Sequence, residues 1–191
     1  EARLYLRVTR CTACREGPLQ ISQIRPVEHE AASSHVTIDT TCGRCSSSLS
    51  FAFEVPAGTA SDQGEAVPQI NPTAAPSRII DVAHWLTLFG MRSEEAGRET
   101  DKTRARQLWM EVGQYLTEAL KFYDDPDSDL PPPEAFFTDR SRARLRENPE
   151  HFSRQRLIGL KARLPVPLTA FSAHNRPNLR AKSNDGDGES D

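Results

Sequence analysis

Every cysteine in the chain belongs to one of two Cys-x-x-Cys pairs, Cys11/Cys14 and Cys42/Cys45. A two-residue gap lets one tight loop aim both sulfurs of a pair at a single point, so two such loops offer four soft donors to one ion. No other feature constrains the fold as strongly, because two loops far apart in sequence must return to within a few ångströms of each other. Zinc(II) is the expected metal, one per chain: it is d¹⁰, imposes no geometry of its own, and accepts four thiolates as a tetrahedron. Rubredoxin-like iron uses the same four ligands, and ligand count alone does not separate the two. Disulfides or a thiol redox couple are the remaining readings. A redox pair opens a helix in a βαβ setting, and no helical pattern follows either pair. With no cysteine left over, metal-bound thiols in a reducing cytoplasm are expected rather than a secreted disulfide scaffold.

The flanking residues read as β. Leu4, Leu6 and Val8 alternate with polar neighbours and lead into Cys11; Leu19, Ile21 and Ile24 suggest a second strand ended by Pro26. Residues 35–41 alternate into Cys42, and Leu49, Phe51, Phe53 and Val55 mark a fourth strand. Each cysteine pair then sits at the turn between two strands. Over residues 1–56 this pattern resembles the zinc-ribbon superfamily, and the resemblance implies a four-strand ribbon with one structural zinc on Cys11, Cys14, Cys42 and Cys45. Two departures stand out: the stretch between the pairs is long for that family, and Arg15 and Ser46 occupy positions where many ribbons place Gly. The second implies less regular knuckles. The apolar residues of the ribbon are too few to hold it alone, so the metal is expected to supply much of its folding free energy. A catalytic zinc keeps one position open for water, whereas four thiolates close the shell. Catalysis at the metal is therefore not expected, and His29 and His35, between the pairs, read as surface residues.

Beyond the ribbon the pattern changes. Residues 57–76, rich in Pro and small residues, read as a linker. Ser77 is a plausible N-cap for a helix reaching Gly90; a longer helical stretch covers Glu94 to Tyr123, and shorter helices follow at 138–147 and 149–163. The polar residues 165–191 read as a disordered tail. The fold expected is α+β: ribbon 1–56, then a small all-α helical domain at 77–164.

The helical part carries no recognisable catalytic constellation: there is no Gly-rich phosphate loop, nucleophile elbow or HExxH. Asp125, Asp127 and Asp129 begin like a calcium loop, but Leu130 and Phe136 stand where Gly and the bidentate Glu belong. Arg140, Arg142, Arg144, Arg146, Arg154 and Arg156 form a basic stretch that suits either the Asp124–Asp129 loop or an external anion or acidic partner. The chain as a whole has 24 Lys+Arg against 27 Asp+Glu, a net charge of -3, which offers no general excess for phosphates. No apolar run approaches the roughly 20 residues needed to span a bilayer. The expectation is a non-enzymatic adaptor that binds another protein, with nucleic acid as the alternative partner.

Overall fold

A computed structural model describes residues 1–30, 33–56, 70–71, 73–125 and 127–165. The expected tail beyond Pro165, and residues 57–69 of the expected linker, lie outside the described residues. Those described form a mixed α+β fold. A seven-residue helix α1 (Ala2–Val8) precedes a sheet of β1 (Leu19–Glu30), β2 (Ser33–Cys42) and β3 (Ser48–Pro56). Helices α2 (Val82–Arg98), α3 (Lys102–Leu120), α4 (Asp139–Glu147) and α5 (Arg154–Ala162) follow, with 3₁₀ turns at Pro133–Ala135 and Pro149–Phe152.

The sheet is an antiparallel meander ordered β1-β2-β3. Ile38 of β2 pairs with Ile24 and Phe51, Val36 with Phe53, and Thr40 with Leu49, which puts one apolar face together. The opposite face is polar: the Arg25 guanidinium donates two bonds of 2.8 and 2.9 Å to Asp39, and Ser50 adds a third of 2.6 Å. These bonds hold the Asp39 carboxyl below its ordinary value, Arg25 contributing most. Strand β1 runs through Pro26 to Glu30 instead of ending at the proline. An edge strand tolerates Pro because half its N–H groups point away from its neighbour.

The four-strand ribbon requires correction: the segment from Leu4 to Val8 is helix, and the sheet has three strands. The alternation misleads because α1 is apolar on two sides. Leu4, Tyr5 and Val8 pack against the helical core, while Ala2, Tyr5 and the fully buried Leu6 pack against the sheet. Only Arg3 and Arg7, one helical turn apart, face outward. Arginines at i and i+4 satisfy both a strand period and a helix period.

Helices α2 and α3 pack as a hairpin around Trp85, Leu88, Val112, Tyr115 and Leu116, all essentially buried. The cap of α2 is Asp81, four residues later than the expected Ser77, whose hydroxyl instead accepts the Ile79 and Ile80 N–H groups. The helix continues through Gly90, and the expected stretch from Glu94 to Tyr123 breaks at Glu99. There the Glu99 carboxylate accepts the Thr100 and Asp101 N–H groups, and Asp101 caps α3. The late start at Asp81 and the break at Glu99 share one cause. Local carboxylates satisfy backbone donors that an unbroken helix would otherwise leave to its own carbonyls.

Asp81 also ties the helical half together. Its fully buried carboxylate accepts from His84 N–H at 2.8 Å and from Phe137 N–H, 56 positions away, at 3.0 Å. Burial alone would raise its pKa, but bonds from His84 and Ser141 outweigh that and leave it below the ordinary value. From α4, Arg144 reaches inward to the Ala83 carbonyl and Thr87 hydroxyl and lies over the Phe152 ring. At the end of the expected linker, Ile70 packs on the helical core and Asn71 is buried; Lys121 donates to the Asn71 and Thr73 carbonyls and to Glu118.

Candidate metal centre

The two cysteine pairs occupy near-identical loops. In the first, Arg15 N–H donates to the Cys11 carbonyl at 2.8 Å and Cys11 N–H to Glu16 at 3.1 Å. In the second, Ser46 N–H donates to the Cys42 carbonyl and Cys42 N–H to Ser47, both at 2.9 Å. Each loop closes through a left-handed residue directly after its second cysteine, Arg15 at φ 58° and Ser46 at φ 59°. The irregular knuckles that the missing glycines implied are thus absent. Two L-residues adopt the conformation a Gly would take freely, at about 1–2 kcal/mol each.

The loops bring all four sulfurs within 4.8 Å of one another. Cys11 lies 3.6 Å from Cys45 and Cys14 lies 3.7 Å from Cys42, and all four thiols are free. A tetrahedron with metal–sulfur bonds of 2.3 Å has edges of about 3.8 Å, so the spacing fits one ion. Cys11 and Cys42 are buried against Leu6, Leu19 and Ile38, whereas Cys45 is exposed. Exposed Glu16 and Arg44 form an ion pair between the loops, and Gly43 N–H donates to the Pro18 carbonyl at 2.9 Å.

The four thiols differ in their surroundings. The side chain and N–H of Ser47 bring the Cys45 thiol down to about 6, and the Cys45 and Arg44 N–H groups lower Cys42. Desolvation, then hydrogen bonding to the neighbouring sulfurs, pushes Cys14 up to about 12. Four sulfurs at these distances repel one another as thiolates, and a divalent cation between them removes that repulsion.

Gly17 is a site residue that sequence reasoning missed. At φ +62° it lies beside the second loop, and a Cβ there would meet the Cys42 sulfur at 2.5 Å and the Arg44 Cβ at 3.2 Å. Its signal is the Gly-Pro pair at 17–18, directly after the first loop, a turn dipeptide. His35 is exposed on β2 and takes no part in the cluster.

The six arginines do not form one open face. Arg140, Arg142, Arg146 and Arg156 are exposed, Arg142 also donating to the Phe136 carbonyl and to Asp139; Arg144 is turned inward as described. Arg154 reaches the Asp125 carbonyl at 3.5 Å. The acidic loop does dock on this region, but through backbone donors: Asp129 accepts Gln155 N–H on its carboxylate and Arg154 N–H on its carbonyl. Its carboxyl lies below the ordinary value, held there chiefly by Ser153 and then by Gln155 N–H.

A shallow cleft of about 400 Å³ opens on the helical half between Phe122 and Phe137, with Arg78, Asp124 and Glu134 at its rim. Among the described residues, no helix is long and apolar enough to cross a membrane. No family model, curated protein or solved structure matches the chain.

Proposed function

We propose that Cys11, Cys14, Cys42 and Cys45 hold one zinc ion as a structural staple, and that the protein acts as a non-catalytic adaptor binding another protein. The observation that carries the metal reading is the sulfur spacing: two separate loops meet at the edge length of a tetrathiolate tetrahedron. With all four positions filled by protein there is none for a substrate or an activated water, so the ion serves folding. The adaptor reading draws on the cleft beside Phe137, where an aromatic side chain remains 39% exposed among charged neighbours. Aromatic anchors within a polar rim are characteristic of protein-binding surfaces.

Elemental analysis of the purified chain should give one equivalent of zinc; iron at one equivalent would keep the site and change the metal, and two disulfides would remove it. For the adaptor reading, affinity capture from the native host should lose specific proteins when Phe137→Asp replaces the wild type. An unchanged set of captured proteins counts against the cleft.

Nucleic acid is the second reading, and one observation favours it. Residues 1–15 carry Arg3, Arg7, Arg10 and Arg15, all exposed, against the single acid Glu1. Phosphate contacts give affinity that falls steeply with salt. Anisotropy titrations at two salt concentrations therefore separate this reading from protein binding.

A further inference from the structure

Helix α1 is only seven residues long, too short to hold helical form in water unaided. Its stability comes from two neighbours at once. On one side Leu6 is 1% exposed and lies in the apolar cluster formed by Leu19, Ile38 and two of the metal-site cysteines, Cys11 and Cys42. On the other, Leu4 and Val8 pack on the helical core, where α1 lies against α2. Tyr5 belongs to both: it touches that core and sets its ring edge-on against Phe51 at 6.3 Å and Phe53 at 5.8 Å. The link to the metal loop is short and stiff. Thr9 ends the helix by donating both its N–H, at 2.9 Å, and its hydroxyl, at 2.7 Å, to the Tyr5 carbonyl, and only Arg10 separates it from Cys11.

We propose that α1 is a metal-gated latch: an occupied four-cysteine site holds it against the helical core, and loss of the metal releases it and uncovers apolar surface on α2. The proposal rests on the metal reading above. Two of the five fully buried residues in the sheet cluster are metal-site cysteines. Without the ion nothing ties the two cysteine loops to each other, the cluster that includes Cys11 and Cys42 loosens, Leu6 loses its seat, and a seven-residue helix anchored on one side alone frays. Metal occupancy then becomes a signal read at the helical half. By linkage the coupling is reciprocal, so weakening the grip of α1 on the helical core must also weaken metal binding.

Two measurements on the full chain test this, with Zn²⁺ alone as the ligand and a chelator to remove it. In hydrogen exchange, chelation should lower protection of the amides of Tyr5–Val8 at least about tenfold, together with amides of α2 facing α1. In zinc titrations, Leu4→Ala, which touches no cysteine, should weaken binding about tenfold, while the outward-facing Arg3→Ala leaves it unchanged. Stoichiometric zinc binding with α1 still protected after chelation, or with Leu4→Ala at wild-type affinity, would overturn the latch and leave the metal site standing. Absence of zinc binding in the wild type would overturn both.

Discussion

Replacing Gly17 by Ala tests the centre without touching a ligand. Two costs follow from the geometry. The first is the left-handed backbone, φ +62°, which costs an L-residue about 1–2 kcal/mol. The second is contact: the new Cβ would stand 2.5 Å from the Cys42 sulfur, where ordinary contacts lie near 3.5–4.0 Å, so something must move by about 1 Å. A metal ligand tolerates displacement of only about 0.2 Å before its bond suffers. The buried Cys42 sulfur also has little room to retreat, since Leu6, Leu19 and Ile38 surround it. Structural zinc sites bind with an apparent 10–16 kcal/mol over four ligands, so losing one costs roughly 3 kcal/mol, or about two orders of magnitude in affinity. Gly43→Ala is the matched control. It sits in the second knuckle, its φ is not left-handed, and its Cβ would meet the end of the flexible Gln20 side chain at 3.2 Å. Competition against a chromophoric chelator reads both variants. Gly17→Ala within threefold of wild type, or no weaker than Gly43→Ala, would refute the assignment of Cys42 as a ligand packed against this turn.

The knuckles themselves make the opposite prediction. Arg15→Gly and Ser46→Gly remove left-handed strain of about 1–2 kcal/mol and add backbone entropy worth about 0.5–1, so each should stabilise the metal-bound form by about 0.5–1 kcal/mol; a loss of stability in thermal melts of the metal-loaded protein would contradict the geometry. In the helical half, Asp81→Ala removes an N-cap worth about 1 kcal/mol and strands the Phe137 N–H at about 1–3, a total near 3 kcal/mol. Urea unfolding followed by helix circular dichroism should show it, and a change below about 1 kcal/mol would mean the cap is dispensable. The folded-state pKa values of Asp81 and Asp129 are both lowered, so their contribution is complete above the unfolded value near 4 and is lost as pH falls through the folded values. Unfolding free energy should therefore decline below about pH 4 and decline less steeply in Asp81→Ala. Glu118, raised by burial, has the opposite sign: its contribution is full at low pH and is lost as pH rises through its folded value.

What the sequence disclosed and what it hid follow one physical division. The cysteine pairs were legible because ligand spacing is a local property, and the strands at Leu19, His35 and Leu49 because each has one wet face and one dry face, which writes a period of two. The helix at 138–147 was legible, whereas the one expected at 149–163 divides: Asn148-Pro149 starts only a 3₁₀ turn, Pro149–Phe152, and α5 begins at Arg154 under its own cap, Ser153. Helix α1 was hidden because its pattern answers to two surfaces. Leu6 is apolar for the sheet and Leu4 and Val8 for the helical core, and the two demands interleave into an alternation no strand produced. Gly17 was hidden for the same kind of reason: what forbids a side chain there is the sulfur of Cys42, on the other loop. Arg144, read as surface charge, instead bonds the Ala83 carbonyl 61 positions away. Each of these residues is set by a contact distant in the chain, and each joins two parts of the molecule. The residues that join α1 to both apolar clusters are also those through which metal loss would reach the helical half. A pattern that fits neither strand nor one-sided helix is thus itself informative. In α1 it marks a segment held from two sides, and such a segment yields when either side lets go.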